Sequence, residues 1–308
     1  MATDETAANT VELGDEQFRD VYLRIKTDLL VVGDSILTDR HMDASPKGSV
    51  KYDDDYPQNR IGGVVPSFPL SGWLRHGMEA VIQQHGGTAC HPGEANGNFK
   101  LEDIYHRDLD NGYHKKGSCV DDTDDVDSST GCVVFDLFGG FGGIPGKVMR
   151  RPIQFHPVRS QIEFPRGQAE GHYRRINRNI VSRNEDDNRR PLRDTEYDAV
   201  ANLDGAWHLS FREIKPEFIG LLAETAAFLD DHQTDFMHQL GGSRNFGAGI
   251  VDVDLINPLY DETDFKNVFD RNLSSATDKM ETKDDEWESE YLPVVTDALH
   301  DRIDAASD

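Results

Sequence analysis

The sequence predicts an α+β fold, a split βαβ, ferredoxin-like sandwich that carries long insertions. Two stretches alternate apolar and polar residues with period two, two others carry apolar stripes at helical spacing, and the elements follow one another as β-α-β, β-α-β. The chain opens with an acidic tail over 1–19. Within residues 1–20 six acids (Asp4, Glu5, Glu12, Asp15, Glu16, Asp20) face one base, Arg19, and few apolar side chains, which predicts disorder or loose docking. The core is expected over 20–258. Val21, Leu23, Ile25, Thr27 and Leu29 alternate with polar neighbours and read as a half-buried strand. Trp73, Leu74, Met78, Val81 and Ile82 predict a helix over Ser71 to Gln84 with Ser71 as its cap. Cys132 to Phe138, a short apolar run bounded by glycines, reads as a buried strand. Trp207, Leu209 and Phe211 alternate as a strand, and Phe218, Leu221, Leu222, Thr225, Phe228 and Leu229 form a helical stripe behind Pro216. Ile250 to Ile256 is the last strand. Residues 260–308 hold fifteen acids against five bases, so 259–308 reads as an acidic, largely mobile tail with a weakly amphipathic helix from Trp287 to Ile303.

Composition bounds the function classes. Of 308 residues 37% are apolar, and no apolar run is long enough to cross a bilayer, so no membrane partner is expected. Three cysteines cannot build a disulfide framework, and no charged start precedes an apolar stretch, which together predict a cytoplasmic protein. The formal net charge is −25, and 21 of the 32 bases are Arg. Acids spread along nearly the whole chain resemble the surface of a protein from a salt-loaded cytoplasm, where charges are screened within about 3 Å at about 1 M salt. Taken as a sum, −25 argues against a phosphate-rich partner.

The sum hides an island. Residues 147–193 hold twelve bases (Lys147, Arg150, Arg151, Arg159, Arg166, Arg174, Arg175, Arg178, Arg183, Arg189, Arg190, Arg193) against five acids, or +7, which leaves −32 for the remainder. Arg forks onto phosphate and stacks on bases. Phe155, His156, Phe164, His172 and Tyr173 lie among these arginines and could offer stacking faces to single-stranded nucleic acid. The competing reading pairs the arginines with the abundant carboxylates.

Two glycine-rich segments present backbone amides of the kind that bind phosphate. One runs from Gly63 to Gly77 and feeds a helix with Ser71 and Arg75 in its first turns. The other, LGGSRNFGAGIVDV, contains Gly241, Gly242, Ser243, Arg244 and Phe246. The segment PSFPLSGWLRHG resembles the proline-glycine-serine-serine-leucine-lysine-glycine pattern of the RAMP superfamily, the repeat-associated proteins of CRISPR systems. The second segment is similar to that superfamily's C-terminal glycine-rich loop, and CVVFDLFGG to its short strand ending in Leu-Phe-Gly. The stretch RRINRNIVSRNEDDNRRPLRDTEYDAVANLDGAWHLSF resembles the thumb hairpin and following strand of Cas-seven-type backbone subunits. These four landmarks stand in order over residues 20–256. The chain departs from the pattern with Phe-Pro in place of a serine pair before Leu70, and with Trp73 where a small residue is common.

The resemblance implies an RNA-recognition-motif-like palm and a thumb hairpin over 153–200. It implies guide (CRISPR) RNA, target nucleic acid, copies of the chain itself and other effector-complex subunits as partners. Ser71, Arg75, Arg150, Arg151, Arg159, Arg174, Arg175, Arg178, Arg183, Gly241, Gly242, Ser243, Arg244 and Phe246 are the RNA-binding candidates. No cofactor is required for such binding.

Some type III relatives cut RNA with an aspartate after the first strand. Asp34, Asp39, Asp43 and Asp53 to Asp55 stand in that region, with His41 as a candidate base. Acids are so frequent that several fall in any loop, so a non-catalytic subunit is the favoured reading, with an endoribonuclease and an acidic interaction protein as alternatives. Cys90, His91, His106, His114 and Cys119, within an insertion over 86–130 that His85 adjoins, supply enough nitrogen and sulfur for a structural zinc but no Cys-x-x-Cys spacing. Backbone subunits of type I-D-like systems carry zinc-binding insertions, which adds to that expectation. Cys132 is expected in the core.

Overall fold

The computed structural model describes residues 18–33, 51–52, 60–87, 89, 133–138, 152–165, 173–181, 192–242, 244, 247–269 and 278–307. The fold is α+β: among the described residues eight strands form one sheet, with every pairing antiparallel. The strands are β1 (Asp20–Gly33), β2 (Lys51–Tyr52), β3 (Arg60–Val65), β4 (Ile153–Phe155), β5 (Val158–Pro165), β6 (Tyr173–Val181), β7 (Leu192–Phe211) and β8 (Asp252–Ile256). The sheet runs β2-β3-β5-β7-β1-β8, and β4 and β6 also pair with β7. The helices are α1 (Ser67–Gln84), α2 (Val133–Phe138), α3 (Pro216–Asp231), α4 (Glu262–Phe269), α5 (Asp278–Glu286) and α6 (Leu292–Ser307), with a π-helical segment at Trp287–Tyr291.

Period two decides which face of the sheet is dry. Val21, Leu23 and Ile25 on β1, Leu203, Trp207 and Leu209 on β7, and Val253 on β8 are buried. They form one core with Leu70, Leu74 and Met78 of α1 and with Phe218, Leu222 and Leu229 of α3. β1 and β7 keep one register from Asp20 opposite Ser210 to Gly33 opposite Tyr197, but the alternation holds only to Thr27: Leu29, expected in the buried phase, is exposed, and Leu30 and Val31 are both buried, beside Asn202 at φ +53° on β7.

Four expectations are corrected. The Cys132–Phe138 run contains a helix, α2, and not a strand. Val133, Val134, Leu137 and Phe138 are buried at helical spacing, and Asp136 accepts a hydrogen bond from Arg302 at 3.1 Å; so short an apolar run carries no period of its own. Ser71 does not cap α1, which starts at Ser67 behind Pro66. Pro69 is tolerated because backbone N–H groups in the first turn have no helical partner. The tail expected over 1–19 ends earlier, since Phe18 is fully buried and packs on Trp287 and Tyr291 at ring-centroid distances of 6.3 and 5.7 Å.

The C-terminal segment is docked from 278 to 307, not mobile. Trp287, Val295, Leu299 and Ile303 are buried against the core. Gly220 of α3 lets α6 approach until a Cβ there would lie 2.1 Å from the Val295 carbonyl oxygen.

Candidate nucleic-acid interface

The polar face of the sheet is built from the alternate residues of the strands that make the core. Tyr22, Arg24 and Lys26 of β1 stand beside Asp204, His208 and Ser210 of β7 because β1 and β7 share one register. His208 stacks on Tyr22 (centroids 4.7 Å, planes 15° apart) and on His156 (4.3 Å, 12°), and Phe265 of α4 packs tilted against Tyr22 at 4.7 Å. Four rings from four places in the sequence thus form one column. Its polar atoms are held: His208 Nε2 lies 2.7 Å from Asp20 Oδ1, and His156 Nε2 lies 3.0 Å from Ser210 Oγ. Burial, then the neighbouring His208, lowers the His156 pKa, while burial, then Asp20, raises that of Tyr22.

Charge on this face is divided. Toward β8, Arg24 forks onto Asp204 with bonds of 3.0 and 2.9 Å and lies over the Phe269 ring, and Lys26 sits 3.6 Å from Asp252. Asp254 has its pKa raised by burial and by Asp230. On the other side of β7 the sequence turns basic. β6 carries Arg174, Arg175 and Arg178 and no acid, and its register sets Arg174 opposite Ala199, Arg175 opposite Asp198 and Arg178 opposite Thr195. Arg159 is exposed on β5 opposite Ala206. The paired stretch Tyr173–Val200 falls in the range 153–200 expected for the thumb, as do β4 and β5, which pair with the C-terminal part of β7.

Several amides of the glycine loop are used within the fold. Gly242 N–H donates to Val31 O at 2.6 Å, Gly249 N–H to Leu29 O at 2.8 Å, and Leu240 N–H to Gly249 O at 2.8 Å. Gly241 (φ +80°) would place a Cβ 2.3 Å from Val31 O, and Gly249 (φ +82°) one 1.9 Å from Leu240 O. These glycines let the loop close on the end of β1, and the Gly242 amide is committed to that contact. Arg244 donates from Nε to Gly241 O and from Nη1 to Phe236 O, and burial lowers its pKa.

Arg75 is likewise internal: its Nε bonds Glu79 Oε1 at 2.9 Å under the Phe138 ring, while Ser71 is half-buried in the second turn of α1. Trp73 donates from Nε1 to His238 O at 2.6 Å and ties α1 to the segment before the glycine loop.

Arg150, Arg151, Arg183, Ser243 and Phe246 lie outside the described residues, as do Asp39, His41 and Asp43. So do the proposed zinc ligands Cys90, His91, His106, His114 and Cys119, and the core candidate Cys132. His85 is described, and at the helical side of the molecule it meets two residues that sequence reasoning did not connect with it. His85 Nε2 lies 2.8 Å from Glu224 Oε2, and His300 Nε2 lies 2.8 Å from Glu224 Oε1. The ring column was also missed. Its signal was present in the polar phase of two period-two strands, where Tyr22 and His208 are rings in positions that alternation marks as outward. No protein-family model matches the chain, and no curated protein matches it.

Proposed function

We propose that the chain is an RNA-binding backbone subunit of the RAMP kind, lying along a CRISPR guide RNA beside further copies of itself and other subunits of an interference complex. The observation that carries this reading is strand β7. One half of it bears His208 in the ring column, and the other half pairs with the three-arginine strand β6. Stacking rings and an arginine hairpin on one continuous strand suit single-stranded RNA, whose unstacked bases need π faces, at about 1–3 kcal/mol each, and whose phosphates need cations. A base stacked at the His156 end would extend the column. The order β8-β1-β7-β5 is that of the fourth, first, third and second strands of a βαββαβ chain with α1 and α3 as its helices, which supports an RNA-recognition-motif-like palm. Contacts of this kind grip phosphate, sugar and ring faces and read no base sequence.

One observation favours a second reading: the register sets Arg175 opposite Asp198, so the hairpin arginines could neutralise the hairpin's own acids in a protein that binds no nucleic acid. Purification at high salt separates the two. The RNA-binding subunit retains RNA and oligomerises along it, seen as an ultraviolet absorbance ratio typical of nucleoprotein. A nucleic-acid-free monomer that ignores added RNA leaves the second reading standing.

A further inference from the structure

The cluster His85, Glu224 and His300 joins three helices: His85 is the C-cap of α1, Glu224 lies in the middle of α3 and His300 in α6. Its ligand atoms all lie within 4.8 Å of one another, and the two imidazole rings approach to 4.3 Å. Both Nε2 atoms are turned to the one carboxylate, yet the two contacts differ. His85 Nε2 makes a hydrogen bond to Glu224 Oε2. His300 Nε2 is buried and makes no hydrogen bond, although it sits 2.8 Å from Glu224 Oε1. A buried ring nitrogen beside an anion and outside hydrogen-bonding geometry is an unsatisfied donor or lone pair, which is costly to leave so.

We propose that His85, Glu224 and His300 bind a divalent transition-metal ion, Zn2+ by its preference for imidazole and carboxylate, which fastens the C-terminal helix α6 to α1 and α3. A cation among these atoms takes the lone pair of His300 Nε2, neutralises Glu224 and removes the crowding of two imidazoles on one acid. Two imidazoles and a carboxylate form a recurrent zinc ligand set, with a further position open to water. The end of α1 contributes as well, since a helix C-terminus carries partial negative charge and favours a cation. The His85 and His300 side chains are 37% and 39% exposed, so an ion can enter without unfolding the chain. The role is structural: α6, with three Asp against one Arg, is held by Val295, Leu299 and Ile303, and the ion adds a cross-link where Gly87 already approaches Ile303. This site is separate from the ring column and does not depend on the RNA reading.

The test uses the full chain, stripped with a chelator and titrated with Zn2+ and Co2+, beside H85Q and the double variant H85A/H300A. The wild type is expected to gain several degrees in Tm with saturating Zn2+. The expected wild-type-minus-variant Co2+ spectrum contains d–d bands without thiolate charge transfer, which distinguishes this site from any at Cys90 and Cys119. H85Q, altered at a part-exposed helix end, keeps the fold and loses Zn2+ affinity at least about 100-fold, since even the outer partners of metal ligands are worth 10–100-fold. Equal metal stoichiometry and an equal Tm response in wild type and H85Q overturn the proposal, as does a difference spectrum dominated by thiolate charge transfer.

Discussion

The two ends of β7 differ in the charge of the strands beside them, although they belong to one strand. Toward its C-terminal end and across β1 to β8, cations meet carboxylates: Arg24 with Asp204 of β7 and Lys26 with Asp252 of β8. The neighbouring C-terminal segment repeats this, with Lys279 on Asp261, Lys266 on Glu262, and Lys283 on the buried Asp264. At the other end Leu192–Val200 pairs with β6, which has three arginines and no acid, while this stretch of β7 itself carries Asp194, Glu196 and Asp198. A net charge of −25 therefore describes most of the surface and says little about what the hairpin binds. Screening makes such local contrast effective at high salt, where charges beyond about 3 Å at 1 M hardly communicate.

The largest expected effect comes from reversing the hairpin. Changing Arg174, Arg175 and Arg178 together to Glu should lower RNA affinity more than about 100-fold at moderate salt, because phosphate contacts supply most of sequence-independent binding. Fluorescence anisotropy with a labelled single strand checks it, and circular dichroism confirms that the fold survives. Unchanged affinity would show that carboxylates, not phosphates, hold these arginines.

The glycine loop sharpens the contrast from the opposite direction. Gly241→Ala forces a side chain into left-handed backbone against Val31 O and should cost at least about 1–3 kcal/mol of stability. RNA affinity of the folded fraction should stay within about twofold of wild type, because the Gly242 amide beside it is bonded to Val31. Urea denaturation together with anisotropy measures both. A stable Gly241→Ala variant that has lost RNA would return the loop to the role of a phosphate cradle.

The parts of the fold legible in the sequence are those in which one physical pattern operates alone. β1, the end of β7, α1 and α3 bury one face each, so period two or a helical stripe marks them. β3 and β5 escaped because β3 pairs with β5 nearly a hundred residues away and β5 with β7 nearly fifty away, and no local period records either pairing. α2 was misread because six apolar-rich residues satisfy strand and helix alike. The docked C-terminal helix was misread for a different reason: four buried residues, Trp287, Val295, Leu299 and Ile303, are diluted among acids that dominate any local average. Of the candidate site, the arginines of β6 were legible as a run. The ring column was not, since it depends on register, and neither was the pairing of Arg75 and Arg244 with their own surroundings.

A smaller effect separates the acidic half of the sheet from the hairpin. Asp204→Asn removes the charge that Arg24 grips in a part-buried setting and should cost about 1–2 kcal/mol. RNA affinity should hold or rise slightly as an acid leaves the face. Loss of affinity comparable to the hairpin reversal would place RNA over β1 instead.

The smallest effect is a pH dependence written into the ring column. His156 has its pKa lowered by burial and by His208, and His238 is lowered mainly by burial and by His232. A histidine whose pKa is lower in the fold than in the unfolded chain binds its proton more readily when unfolded. Stability from these groups is thus complete above the ordinary histidine value of 6.5 and declines as pH falls below it, until the folded pKa is passed. Protonated His156 also faces His208 across a 4.3 Å stack, so the column loosens as it titrates, while Asp20 partly offsets the repulsion. Tm should therefore fall between neutral pH and the range just below the usual histidine pKa, and His156→Gln should flatten that slope without removing the share due to His238. RNA affinity should not weaken over the same range if the hairpin carries it, because arginines keep their charge throughout. An affinity that falls in step with His156 titration would make the column, and not the hairpin, the principal seat of binding.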